Sequence, residues 1–260
     1  MPRIVSANNS RLKEAAHLLR SAHERRRSNL CVIEGEHLLE AYIARHGAPR
    51  TLIVTETYER HPLTLRLAGC DTEPYVVDDA LFKTISSLPP AIGMLAVIVT
   101  PEAQSLSGDF NLLLDEVQDP GNAGTILRSA AAAGVTHVVF SKNSASAWSP
   151  KVLRAAQGAH FSLDIVENVD AVSWTTQFRS DGGIVAVTTL RNGVDLFGAD
   201  LSMTPLVLAV GNEGAGTSES LLNLADMRLT IPMPGGTESL NVAAAAAITL
   251  FERVRQQRTG

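Results

Sequence analysis

The chain has 260 residues but only two cysteines, Cys31 and Cys70, and no CxxC pair. That scarcity excludes a disulfide framework and a sulfur-ligated zinc site, and it predicts thiols held buried or half-buried in a reducing compartment. The seven histidines show no HxxxH or HxH spacing, so no metal centre is expected. No apolar run approaches the roughly 18 residues a membrane span needs, and no signal-peptide core follows Met1. A cytoplasmic protein with no membrane partner is the expectation. Internal repeats and low-complexity tracts are also missing, and so is a GxGxxG dinucleotide fingerprint.

What is present reads as globular: 45% apolar residues and 19% charged. The net charge of −5 argues against a protein that coats nucleic acid indiscriminately. Its distribution is uneven. Residues 1–30 carry +5, with Arg25, Arg26 and Arg27 in a row, and the remainder carries −10. A local basic face on an acidic protein can steer a phosphate backbone to one place, although a solvated helix face has the same composition.

Along the chain, residues 10–26 read as one amphipathic helix capped by Asn9 or Ser10, with Leu12, Ala15, Ala16, Leu19 and Ala22 at helical spacing. Short strands at 30–35, 51–55, 74–78 and 93–100 alternate with helices at 36–47 and 78–87. This pattern predicts a small α/β domain over residues 1–100, followed by a polar, aperiodic linker at 101–109. From residue 110 to 260 the alternation restarts with longer, near-continuous apolar strands. Such strands belong to a parallel sheet covered by helices on both faces, which binds ligands at the carboxyl ends of its strands.

Three loops fall at such strand ends. The first, QDPGN, enters a helix with Asn122 at its start and Arg128 six residues on; an unpaired arginine is costly to bury, which suits a phosphate or carboxylate partner. The second, GNEGAG, follows LVLAV. Its glycines are ordered GxxGxG, and Glu213 between them would repel a pyrophosphate, so a cationic or neutral ligand is favoured and a nicotinamide oxidoreductase is not. The third, PGGTESLNV, precedes five alanines that open the last helix, with Ser239 and Asn241 placed to cap it. One-methyl side chains there let another backbone approach closely.

NxxxxxR, GNEGxG and SLNV, in this order and with SPKVLRAAQGAHF between the first two, resemble the three motifs of the SpoU (TrmH) family of RNA ribose methyltransferases in the SPOUT superfamily. The resemblance covers residue 110 to the C-terminus, while the first domain is similar to that family's appended, ribosomal-protein-like RNA-binding domain. Ala243 departs from the pattern, since many relatives carry Ser after SLNV. The resemblance implies an α/β fold with a trefoil knot in the second domain, a homodimer formed through that domain, and S-adenosylmethionine held without a metal. It places Gly211, Ile231 and Leu240 against that cofactor, with Thr189, Asn212, Met233 and Ser239 as further candidates. It nominates Arg128 to assist deprotonation of a ribose 2′-hydroxyl, with Asn122, Asn241, Glu213 and Ser239 around it. Glu213 would pair with Arg128 or fix its own loop. Arg25, Arg26 and Arg27 would touch RNA phosphates. Ribosomal RNA is the expected substrate ahead of tRNA; the alternative is a non-catalytic RNA-binding member of the fold.

Overall fold

The computed structural model describes residues 1–69, 72–87 and 92–259, and Cys70 lies outside them. The chain divides into two compact units: Met1–Pro101 with Trp148–Phe161, and Glu102–Ala147 with Ser162–Gly260.

The first unit begins with β1 (Arg3–Ile4), α1 (Ser10–Arg20), α2 (Ala22–Ser28), β2 (Leu30–Glu34) and α3 (Glu36–His46). It continues through β3 (Thr51–Thr55), α4 (Pro62–Ala68), β4 (Pro74–Val77), α5 (Asp79–Ile85) and β5 (Met94–Val99). Its sheet runs β1-β4-β3-β5-β2, parallel except where β5 pairs antiparallel with both β3 and β2. Leu12, Leu18, Ile53, Phe82, Leu95 and Val97 are among the side chains of its core. Cys31 is buried in β2, as its apolar neighbours imply.

The single helix expected over 10–26 is two. Ser21 is extended, its Oγ accepts the Glu24 N–H at 3.1 Å, and it starts α2 afresh. The signal was present as Ser-x-x-Glu, the spacing of a capping box. This break overturns one expected RNA contact. Arg25 turns inward, is only 7% exposed, and donates from Nη1 to the Leu18 carbonyl at 2.7 Å, one of the last-turn acceptors of α1. Arg27 is exposed but held by Glu24, and Arg26 alone of the three points outward without such a partner among the described residues.

In the second unit come β6 (Phe110–Leu114), α6 (Pro120–Ala132) and β7 (His137–Ser141). The chain then forms α7 (Pro150–Ala156), capped by Ser149 with Pro at the first helical position as the sequence predicts. By its packing this segment joins the first unit: the Phe161 ring meets Tyr42 edge-on at 5.5 Å, and Trp148 lies 5.0 Å from His160. Sequence adjacency could not reveal that. The second unit resumes with β8 (Asp164–Val169), α8 (Ala171–Ser180), β9 (Ile184–Thr188), β10 (Val194–Asp195) and β11 (Leu206–Val210). α9 (Glu219–Leu224), β12 (Met227–Thr230) and α10 (Val242–Thr259) complete it.

Its seven strands are ordered β10-β12-β9-β11-β6-β7-β8, and every neighbouring pair is parallel. β6, β7 and β11 are buried throughout, which is why they read as near-continuous apolar runs. From β6 the chain moves outward one way through β7 and β8, whereas β11 leads the other way to β12. The carboxyl ends of β6 and β11 therefore flank a switch point, where open α/β sheets form a ligand crevice. α10 packs on α6, with Ala243, Ala246 and Leu250 buried on one and Ala123, Gly124 and Leu127 on the other. Small residues on both helices allow this close approach.

Candidate active site

At the carboxyl end of β6 the backbone turns out of the sheet and Asp119 caps α6, its Oδ1 accepting the Asn122 N–H at 2.8 Å. Pro120 follows at the first helical position, where its missing N–H costs nothing. Asn122 is thereby fixed at the entry of the helix. Arg128, two turns on, is exposed, and among the described residues no hydrogen bond or ion pair holds it. It is a guanidinium left available to something outside the chain.

At the end of β11, Gly211 is buried, and a Cβ placed on it would lie 2.1 Å from the Thr217 amide nitrogen and 2.2 Å from the Gly216 carbonyl carbon. Only glycine lets the loop double back so tightly. The loop is closed by a two-bond bridge: Asn212 N–H donates to the Gly216 carbonyl and Gly216 N–H to the Asn212 carbonyl, each at 2.9 Å. The Asn212 side chain is committed as well. Its Oδ1 accepts the N–H groups of Gly214 and Ala215, and its Nδ2 donates to the Glu116 carbonyl at 2.9 Å. Asn212 thus shapes the loop and ties it to the loop after β6. Thr217 and Ser218 are anchored in turn by the Thr188 carbonyl and by the buried Asp115 carboxylate, 2.9 and 2.8 Å away.

Glu213 stands at the tip. One carboxylate oxygen accepts the Asp119 N–H at 3.0 Å and the Asn122 Nδ2 at 3.1 Å; the other accepts the Gln118 N–H at 3.2 Å. Burial pushes this carboxyl up, but the hydrogen bonds from Asn122, Asp119 and Gln118 outweigh it and hold it below the ordinary range for glutamate. Glu213 is therefore ionised at neutral pH. Of the two roles open to it from sequence, it takes the second: it fixes the loops and makes no ion pair with Arg128.

The third loop leaves β12 at Thr230. Ile231 and Met233 are half-buried, and residues 234–241 are exposed. Asn241 Nδ2 donates to Asn122 Oδ1 at 2.9 Å, and Asn241 Oδ1 accepts the Ala243 N–H at 2.9 Å. Asn241, not Ser239, caps α10; Ser239 is exposed, and among the described residues nothing bonds its hydroxyl. Thr189, just past β9, pairs with β12 through its N–H, which donates to the Leu229 carbonyl at 2.8 Å. Ala243 is 5% exposed at the start of the helix, and its methyl suits that site. The three motif loops are consequently joined by one directional chain, from the α10 N-terminus through Asn241 and Asn122 to the Glu213 carboxylate.

The roles of Asp115, Glu116 and Gln118 had no sequence signal, because they act through backbone groups or across more than ninety positions. Asn111, buried in the middle of the sheet and bonded to the Leu206 carbonyl at 3.1 Å, was equally unannounced.

Residues 109–251 match the model of the SpoU rRNA Methylase family, and residues 9–96 match an MRM3-like substrate binding domain. The chain belongs to the SpoU rRNA methylase family. It is 36% identical to the 23S rRNA (guanosine(2553)-2′-O)-methyltransferase RlmP of Bacillus subtilis, over 96% of this chain and 98% of that one. A 23S rRNA (uridine(2479)-2′-O)-methyltransferase of Streptomyces viridochromogenes is 31% identical over 99% of this chain and 94% of its own. Among solved structures, the SpoU methyltransferase AviRb from that organism, in complex with AdoMet, aligns with a TM-score of 0.87 at 28% identity. That alignment covers 97% of this chain and all of AviRb. Among the described residues no group of histidine, cysteine and carboxylate side chains could hold a metal ion, and no helix is long and apolar enough to cross a membrane.

Proposed function

We propose that this protein is an S-adenosylmethionine-dependent methyltransferase acting on a ribose 2′-hydroxyl of RNA, with large-subunit ribosomal RNA as substrate ahead of tRNA. The observation that carries the reading is the hydrogen-bonded chain Glu213–Asn122–Asn241, which gathers three loops at the sheet's switch point beside an exposed Arg128. Relatives named for 23S ribosomal RNA that match almost end to end favour that substrate.

The residues present fit the cofactor. An ionised carboxylate and a tight glycine loop suit a cationic sulfonium, and the half-buried Ile231 with the exposed Leu240 offers apolar surface on the third loop. Gly211, Ile231 and Leu240 would hold it, with Thr189, Asn212, Met233 and Ser239 around them. The cofactor supplies an electrophilic methyl group, so no metal is required. A guanidinium is a poor proton acceptor, so Arg128 is not given the role of a base. It acts as a cation that lowers the pKa of the ribose hydroxyl and clamps the neighbouring phosphate. Asn122, Glu213 and Asn241 keep the loops in register, so that hydroxyl and methyl meet in a productive orientation.

The second unit is proposed to be a trefoil knot. β12 lies outside β9 while α10 returns to α6, and residues 199–203 cross α10 on the way. Buried Arg253 donates to the Leu201 and Met203 carbonyls at 3.1 and 3.4 Å, and Gln256 exchanges bonds with Ala199 and Leu201. Stretching single molecules from both termini should give a contour length shorter than the full chain; full extension would remove the knot. Exposed Leu190, Val194, Phe197 and Phe251 in this unit favour a homodimer through it, and cytoplasmic residence is proposed with the ribosomal substrate.

To test the function, the protein is incubated with methyl-labelled S-adenosylmethionine and ribosomal RNA from cells lacking it. The expected product is label in one alkali-resistant dinucleotide, the mark of a 2′-O-methyl group. Label on a base, or in tRNA alone, would sink the assignment.

A further inference from the structure

The second unit explains methyl transfer, but the first holds a cleft that this chemistry does not use. It has a volume of about 640 Å³, within the range of small-molecule pockets, and lies where α1 crosses the starts of β3 and β4. Tyr75 and Arg11 form one wall, with the guanidinium carbon 4.3 Å above the ring centroid. Arg50 and Glu14, paired at 3.3 Å, form the second. The exposed Glu73 carboxylate stands at a third side, and the floor is the buried Thr72, pinned through Oγ1 to the Pro49 carbonyl at 2.7 Å.

Two guanidiniums and two carboxylates balance, so the cleft is no trap for a bare phosphate. It offers a flat, polarisable stack next to hydrogen-bond acceptors. That combination is complementary to an unpaired nucleobase, which stacks on aromatic rings or arginine planes and is read along its edge. A carboxylate accepts from exocyclic amines, as glutamate does from cytosine N4. Phosphates have a place on another face of the same helix: Lys13 and Arg20, at positions i and i+7 of α1, are exposed with His17 between them, and neither cation is ion-paired among the described residues.

We infer that this cleft takes one unpaired nucleotide of the RNA, its base laid on the Arg11–Tyr75 stack and its amino edge against Glu73, while the flanking phosphates follow Lys13 and Arg20. The inference rests on the RNA substrate proposed above. It makes the cleft, with Lys13 and Arg20, the main contact surface of the first unit in place of the Arg25–Arg27 run, of which Arg25 is buried.

The test uses the full chain and short single-stranded oligoribonucleotides of A, C or U, read by fluorescence anisotropy at one salt concentration. Oligo-A and oligo-C should bind roughly ten-fold tighter than oligo-U, because uracil lacks an exocyclic amine. Glu73→Gln, a change on an exposed side chain, should remove that preference. Arg11→Ala should weaken all three by roughly ten-fold, the worth of one stacked base. A single 2-aminopurine in oligo-A should change its fluorescence on binding to the native chain and not to Tyr75→Leu. Equal affinity for all three oligomers with no effect of Glu73→Gln would overturn the inference, and so would displacement of oligo-A by poly-glutamate through the same residues. Calorimetry with S-adenosylmethionine is run in parallel: normal cofactor binding in every variant confines a failure to the cleft, and its loss in the native chain fails the enzyme reading instead.

Discussion

Gly211→Ala should abolish measurable cofactor binding while leaving the helical circular dichroism of the protein in place. The added Cβ would fall 2.1 Å from the Thr217 nitrogen, 2.2 Å from the Gly216 carbonyl carbon and 2.4 Å from the Thr217 Cα. All three are backbone atoms, so no flexible side chain can swing away to relieve the clash. Relief requires opening the Asn212–Gly216 bridge, and with it the turn that presents Glu213 to the loop after β6. Overpacking of this kind costs about 1–3 kcal/mol, which at this chain length lowers the melting temperature by roughly 2–12 °C. Affinity should fall further than stability, because the displaced loop is itself the proposed binding surface. Thermal melting and calorimetry with S-adenosylmethionine check the two halves; a variant with native affinity would separate the glycine turn from the cofactor.

The contrast between Gly211 and Asn212 marks where the sequence stops being readable. A glycine straight after a buried strand announces a sharp turn, and GNEGAG, NxxxxxR and SLNV could be placed at strand ends from apolar runs alone. Their convergence could not. Glu213 reaches Asn122 across ninety-one positions and Asn241 reaches it across 119, and periodicity carries no information at such separations. The same limit hid the role of Asn212. Its amide satisfies three loop groups at once, and that is visible only when the loops after β6 and β11 lie side by side.

Local signals misled where two of them competed. Ser239 and Asn241 both have cap chemistry, and the contest was settled by the partner across the crevice: Asn122 draws in the Asn241 amide, and the Asn241 Oδ1 then faces the first free amides of α10. In the first unit the apolar spacing of residues 12–22 runs straight through Ser21, and periodicity outweighed the cap motif. That misreading mattered for function, since only the break in the helix folds Arg25 inward. A run of three arginines looks like a phosphate grip in one dimension; in three, one is buried, one is ion-paired and one is left.

Arg128→Ala should lower the rate of methyl transfer by at least roughly 10²–10³-fold, the scale seen when one preorganised charge-stabilising donor is removed. Cofactor affinity should stay within about three-fold, because no hydrogen bond or ion pair among the described residues ties Arg128 to the loops that would hold the cofactor. Arg128→Lys should recover only part of the loss, since an ammonium keeps the charge and gives up the planar fork. A full native rate in Arg128→Ala would remove the residue from the mechanism. The exposure of Arg128 leaves open which subunit of a dimer it serves, and two inactive chains decide it. When Arg128→Ala and Gly211→Ala subunits are co-expressed and mixed dimers form, a guanidinium acting within its own chain finds a defective loop, and activity stays absent. A guanidinium acting across the interface gives each mixed dimer one intact site, restoring roughly a quarter of the native rate in a random mixture. Sedimentation of the mixture shows whether dimers are present at all, and a monomer would refute the proposed assembly along with any action in trans.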